Sequence, residues 1–363
     1  MIKLEPRGER SKAMAYASPV FAFLLTVLTG VILFSSLGIN PWHALVTLFY
    51  TPISDVYGLT ELAVKATPIL ICAIGLSVVF KAQIWNIGAE GQLLMGALTG
   101  GVVALQLIDA EGFWVLPLVM ISGVLGGMLW SGIAAFLKVH FNSNEILTTI
   151  MMNYIALNIL LWGVHGPLKD PQGFNFPESA MFGDSALMPI LIEGTRVHFG
   201  LALALLAVVA IWVLMSHSFI GFQIRVIGMD HGAARLSGFK GKHLTYLTML
   251  ISGGLAGLAG ISEVAGPIGQ LIPSVSPGYG YAAIIVAFLG RLNPFGIVLA
   301  TFLMGLLYMG GEMAQIELGL PLALTNLFQG MLLFYLLACD VFINFRLRWS
   351  GPRKPASALR TEG

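Results

Sequence analysis

The sequence predicts an all-α membrane protein, a polytopic helical bundle of about ten transmembrane segments, some of them broken or half-spanning. The mean hydropathy is +0.85. Apolar residues make up 57% of the chain and charged residues only 10%, against about 25% charged in an ordinary soluble domain. Apolar runs of about 20 residues, the length needed to cross a bilayer, recur along nearly all of the 363 residues. One continuous membrane domain accounts for this better than two soluble ones.

Apolar windows place helices near 16–37, 61–80, 91–108, 114–137, 144–163, 199–216, 244–264, 279–290, 295–311 and 322–343. The eighth is short and flanked by glycine, as expected of a broken helix that protein or a water-filled path surrounds. The polar start, 1–15, leads into a full-length span without an Ala-x-Ala cleavage site, so the first apolar segment reads as a retained helix. The membrane domain then covers 16–343, and 344–363 form a basic tail.

Ten crossings put both termini on one side, and the distribution of Lys and Arg tests this independently of hydropathy. Sixteen of the 19 basic residues fall at the N-terminus, at Lys81 and Lys138, between Arg225 and Lys242, at Arg291 and in the tail, all on one predicted side. That side is therefore cytoplasmic. Only Lys65, Lys169 and Arg196 remain for the other face, and Lys65 follows Glu61 by four residues, the spacing of a helical ion pair. The principal external feature is the proline- and glycine-rich loop 164–198. It is either a docking surface for an extracytoplasmic partner or a tether between helices.

A net charge of +1 gives no field that would draw nucleic acid. Cys72 and Cys339 lie in apolar segments without ligand spacing, so neither a disulfide framework nor a metal site is expected. There is no GxxxxGK[ST] loop, and the one Gly-Lys pair, Gly241-Lys242, runs into His243. GxSxG and HExxH are also absent. An enzyme is a poor reading, and energy for any transport must come from elsewhere. His140, His165, His198, His217, His231 and His243 fall in loops or near span ends, where solvation is the expected role.

Small-xxx-small pairs recur within spans: Gly96 and Gly100, Gly123 and Gly127, Gly253 and Gly257, Ala256 and Gly260. They let helix backbones approach closely. Two polar stretches stand out as candidate walls of a translocation path. In Lys81 to Gln92, KAQIWNIGAEGQ, residues Asn86, Glu90 and Gln92 line a hydrated path or hold a helix break, unless the stretch is an ordinary turn. In Ser143 to Asn153, SNEILTTIMMN, residues Asn144 and Glu145 are also explained as an N-cap and a first-turn acid, whereas Asn153 lies too deep for that account.

The loop 217–243 is basic and punctuated by glycine. Between Asp230 and Ser237 it predicts a short helix, with Asp230 at its start and Gly238 as its C-cap. Ala233 and Ala234 would allow close seating in a groove of a soluble motor.

The order Arg225, Gly228, Ala233-Ala234, Ser237-Gly238, then SGGLAGLAG at 252–260, resembles ABC-importer permeases of the branched-chain amino acid and sugar superfamily. Ala233, Ala234 and Gly238 match the AA-x-x-x-G core of that family's coupling loop, while its usual leading Glu is replaced by Gly232. WNIGAEGQLLMGA, NEILTTIMMNYIA and GYGYAAIIVAFLGRLNPFGI are similar to permeases of nucleoside uptake systems served by basic-membrane-protein-type lipoproteins. The resemblance spans about 15–345. It implies a permease subunit in the bacterial inner membrane, with both termini cytoplasmic and residues 217–243 contacting the motor. It further implies a purine or pyrimidine nucleoside as substrate, a double-domain ATP-binding subunit, a second homologous permease and an extracytoplasmic substrate-binding lipoprotein or periplasmic protein. ATP would be used by the partner, with no cofactor on this chain. The alternatives are a ribose-like sugar permease and an ion-coupled secondary transporter, which needs ionisable groups deep in its spans. Glu90, Glu145, Glu263 and Asp340 all fall near predicted span ends. The superfamily also implies two related halves, in which Asn86 to Gln92 and Gly278 to Arg291 correspond.

Overall fold

Each of the ten predicted apolar segments maps onto a helix. The structure is a computed structural model that describes residues 2–6, 12–321 and 323–349; most of the basic tail lies outside them. In chain order the helices are α1 (Lys12–Ser36), α2 (Pro41–Phe49), α3 (Val56–Lys81), α4 (Ala89–Gln106), α5 (Val115–Phe141), α6 (Glu145–His165) and α7 (Gly200–His217). They continue with α8 (Phe219–Met229), α9 (His231–Leu236), α10 (Gly241–Glu263), α11 (Tyr279–Leu289), α12 (Pro294–Leu318) and α13 (Ala323–Asn344). Two short strands, β1 (Ile2–Pro6) and β2 (Phe345–Trp349), pair antiparallel with Ile2 opposite Trp349. This ribbon joins the two ends of the described chain.

Among the described residues, eight helices are long and apolar enough to cross a membrane. Of the ten predicted segments, only those at α4 and α11 fall outside that set. The first turn of α4 carries Glu90 and Gln92. With 11 residues, α11 extends about 16 Å, roughly half of a 30 Å hydrocarbon core.

The chain divides into two units, residues 1–45 with 326–363, and residues 46–325. In the first, α1 packs on α13. Phe34 stacks on Phe328 at 5.5 Å, Gly30 lies beneath the same ring, and the Ser18 hydroxyl donates to Asp340 at 2.6 Å.

In the second unit α10 is the central helix, and glycine decides how it packs. A β-carbon on Gly96 of α4 would fall inside the backbone of Gly257 on α10. One on Gly127 of α5 would collide with the Gly253 carbonyl, and one on Gly260 with the Leu93 carbonyl. The small-xxx-small pairs therefore belong to a single three-helix contact of α4, α5 and α10. In lipid, where no hydrophobic force drives helices together, such backbone proximity supplies the van der Waals energy. Gly257→Ala should destabilise the protein by about 1–3 kcal/mol or more through overpacking. The control Gly330→Ala, whose β-carbon meets nothing within 4 Å, should unfold as the wild type does in detergent thermal melts.

Candidate functional site: an interrupted-helix junction

Between Lys81 and Ala89 the backbone leaves the helix, and the sequence supplies partners for the groups this exposes. Asn86 and Gln92 form a reciprocal amide pair, with 3.1 Å in each direction. The Asn86 amide also donates to the Ser252 hydroxyl of α10 at 3.1 Å, and its oxygen accepts from the Gly88 amide at 2.9 Å. From α6, Thr149 accepts from the Ile87 N–H at 3.2 Å. Asn153 donates to the Ile87 carbonyl at 2.9 Å and accepts from the Gly91 N–H at 2.9 Å. The rings of Phe80, Trp85 and Phe288 stack with centroids 5.0–5.8 Å apart and fasten the link to the end of α11.

A second backbone break ends beside the first. After α10 a π-helical turn, Val264–Ile268, and a stretch of turns and bends lead to α11. The N-terminus of α11 meets that of α4, because Gly280 lies so close to Ala89 and Glu90 that no β-carbon would fit. The buried Glu90 carboxylate accepts from the Gly280 N–H at 2.7 Å, with the Ser276 hydroxyl and the Gly278 N–H also directed at it. A carboxylate is the group that two helix N-termini favour, since both direct unpaired N–H groups and positive dipole ends toward it. Tyr281, one residue further, receives a hydrogen bond from Asn153 at 3.2 Å and is partly exposed.

The structure thus brings Asn86, Glu90, Gln92 and Asn153 into one buried polar cluster. Asn144 and Glu145 stand apart from it. Asn144 caps α6, accepting from the N–H groups of Ile146 and Leu147, and Glu145 pairs with Lys138 at 2.7 Å across the turn from α5. Sequence reasoning passed over Ser252, Ser276 and Gly280, whose polarity looks incidental within glycine-rich runs. The Gly-Tyr-Gly-Tyr alternation at 278–281 was their only local signal.

The predicted loop 217–243 is mostly helical. Ser218 caps α8 by accepting from Gly221 N–H at 3.0 Å, and Asp230 caps α9 by accepting from Gly232 N–H at 2.6 Å. Gly238 takes the left-handed conformation that ends the helix, with φ +78°. Ser237 donates to the Ala233 carbonyl at 3.0 Å. Arg225 donates to the Met215 carbonyl at the end of α7. Gly228 sits directly against the Lys81 carbonyl, where the interrupted stretch begins. Ala234 differs from expectation. It is only 2% exposed and packs into its own chain, while Leu236 beside it is 92% exposed, so Leu236 and Ala233 form the open face.

Two further expectations are corrected. Glu61 and Lys65 do not pair with each other: Glu61 binds Arg196 of the long loop, and Lys65 binds Glu312 of α12 at 2.6 Å. Both cations have reached carboxylates on other elements, where the fold offers shorter contacts. His198 is buried rather than solvated. Its Nδ1 accepts from the Gly200 N–H at 3.1 Å, and burial lowers its pKa to about 4, so the ring is neutral. The loop 164–198 is no loose tether. It is knitted to the segment after α10 by Phe182 N–H to Gly269 carbonyl, Met188 N–H to Ala265 carbonyl, and paired bonds between Ser179 and Leu271.

Residues 58–337 match the model of the family described as branched-chain amino acid transport system, permease component. The chain belongs to that family. The permease is 33% identical to the glucose ABC transporter permease protein TsgB13 of Haloferax volcanii, over 95% of this chain and 93% of that one. It is 31% identical to the guanosine ABC transporter permease protein NupP of Bacillus subtilis, over 87% and 91%. Against the nucleoside ABC transporter permease protein NupB of Lactococcus lactis the identity is 26%, over 95% and 96%. The matches cover more than nine-tenths of each of these relatives, and the junction lies inside the matched region.

In the permease, Asn153→Leu strips the Ile87 carbonyl and Gly91 N–H of their partners while leaving the side-chain volume similar. The expected cost is about 2–6 kcal/mol for two unsatisfied buried groups, read as a lower melting temperature and faster hydrogen exchange at 87–91. Thr148→Val, at a half-buried position whose hydroxyl bonds only the Asn144 carbonyl one turn back, should change neither.

Proposed function

We propose that this permease is the membrane-spanning subunit of an ATP-driven nucleoside importer, in which a separate ATPase drives alternating access. The observation that carries the reading is the contact of Gly228 with the Lys81 carbonyl. It joins the exposed α8–α9 loop to the interrupted stretch, and through it to Glu90 and Gly280 at the meeting of two helix N-termini. A push on Leu236 and Ala233 by a soluble motor would thus reach the polar junction through two successive backbone contacts. In this reading Arg225, Gly228, Ala234, Ser237 and Gly238 shape the coupling element. Asn86, Glu90, Gln92 and Asn153 hold the junction beside the path, with Asn144 and Glu145 at its entrance.

The orientation that fits has the α8–α9 loop and both termini in the cytoplasm, in agreement with the placement of Lys and Arg. It leaves the loop 164–198 facing a substrate-binding lipoprotein or periplasmic receptor. A double-domain ATP-binding subunit and a second, homologous permease complete the assembly. The guanosine and nucleoside permeases among the relatives support a nucleoside substrate. The glucose permease relative favours a second reading, a sugar importer of the same architecture.

In right-side-out vesicles with ATP inside and both proton and sodium gradients collapsed, guanosine uptake should continue. Its loss would point to ion coupling instead. Leu236→Asp should leave the permease folded but reduce capture of the ATPase at least tenfold, because a charge would be desolvated in the seated face. Ala234→Asp should instead unfold the loop, seen as proteolytic cleavage near 230–240.

A further inference from the structure

At the far end of α3, about 30 Å from Lys81 along the helix, the second unit gathers three carboxylates around two cations. Glu61 is buried and holds Arg196 through both of its oxygens. Glu312 takes Lys65 at 2.6 Å. Glu263, the last residue of α10, is within electrostatic reach of the same two cations, but each is already bonded to another carboxylate. Its side chain has a carboxylate oxygen, Oε2, that is buried with no hydrogen-bond partner, and the residue as a whole is 7% exposed. Tyr279, from the first turn of α11, is within electrostatic reach of Glu263, Glu312 and Tyr308, and its ring packs edge-on against Tyr308 at 5.5 Å.

A carboxylate oxygen held in a membrane domain without a donor is costly, and such groups mark function by default. The position is also built in an unusual way, because Glu263 leads directly into the π-helical turn Val264–Ile268, a distortion that recurs at functional sites. The missing partner has a definite character. No group of His, Cys, Asp or Glu suited to a metal occurs among the described residues, and the carboxylates of Glu61 and Glu312 are already taken by Arg196 and Lys65. A neutral hydrogen-bond donor meets the need without adding charge. At the edge of the cluster the side chains of Arg196 and Glu312 are 55% and 42% exposed.

We infer that Glu263, flanked by Tyr279 and Lys65, is the acceptor in a binding site for the hydroxyl groups of a glycosyl or ribosyl moiety. This rests on the importer reading above and adds the part of the solute that is recognised. The sugar ring is what a nucleoside and glucose have in common, so one site serves either substrate. The solute enters beside Arg196 and Glu312, and its hydroxyl donates to the free oxygen of Glu263.

The test uses the complete transporter, with its ATPase, partner permease and receptor, in proteoliposomes containing ATP on the motor side. Uptake of guanosine, 2′-deoxyguanosine and 3′-deoxyguanosine is compared in wild type, Glu263→Gln and Glu263→Asp. The receptor is the same throughout, so the change in ratio between solutes reports on the permease. Guanosine uptake should fall about tenfold or more in both variants, the weight of a hydrogen bond to a charged group. At least one deoxy analogue should fall several-fold less, so that discrimination narrows. Equal loss for all three solutes, or unchanged uptake, would overturn the assignment. Co-purification of the subunits and the gel-filtration profile of the complex, both expected unchanged, exclude misfolding as the cause. If the wild type carries glucose but not guanosine, the nucleoside reading fails, and the comparison of glucose with its deoxy analogues decides on Glu263. ATP-dependent uptake of neither solute would end both proposals.

Discussion

Lipid permits an interrupted helix only if every backbone group released by the interruption is bonded by protein. In residues 82–91 the N–H groups of Ala82, Gln83 and Ile84 bond carbonyls of the preceding turn, and side chains take Ile87, Gly88 and Gly91: Thr149 and Asn153 from α6, and Asn86 from within, which Gln92 and Ser252 hold in place. The polar residues of this region are therefore first of all the partners that make a broken backbone tolerable. Without them the chain would continue as one helix, and the N-termini of α4 and α11 would not meet around Glu90.

The surrounding bundle is held by the opposite kind of contact. Gly96, Gly127, Gly257 and Gly260 place the backbones of α4, α5 and α10 against each other with no side chain between them. Such contacts are rigid, since any displacement opens a gap or a clash and forfeits dispersion energy at once. Side-chain hydrogen bonds at the junction exchange partners more readily. The structure accordingly combines a stiff three-helix frame with an adaptable polar seam along it, and the α8–α9 loop touches the seam at Gly228.

Charged side chains follow a similar division. Lys138 with Glu145 and Arg225 with the end of α7 tie turns together near the membrane surface. At the other end of the domain the pairs Glu61 with Arg196 and Lys65 with Glu312 join a loop to α3 and α3 to α12, leaving one carboxylate oxygen unmatched. An ion pair between elements constrains their relative position, and an unmatched buried acceptor reserves room for a donor.

Much of the architecture was legible in the chain. Hydropathy located the ten apolar segments because each must span or enter lipid, and the spacing of glycine identified the helix faces that approach closely. Asp230 and Gly238 marked the ends of α9, since a cap acts within a turn of its own residue. Membership in a permease family could likewise be read from local motifs at 85–97, 144–156, 225–260 and 278–297. Tertiary structure alone decided which partners meet across the bundle: that Asn153 bonds Ile87, that Glu90 bonds Gly280, that Lys65 reaches Glu312 rather than Glu61, that Ala234 turns inward, and that Glu263 keeps an oxygen free. Periodicity and caps act over a few residues and are written locally. These pairings join residues tens to hundreds of positions apart, and they are set by helix packing that no single segment encodes.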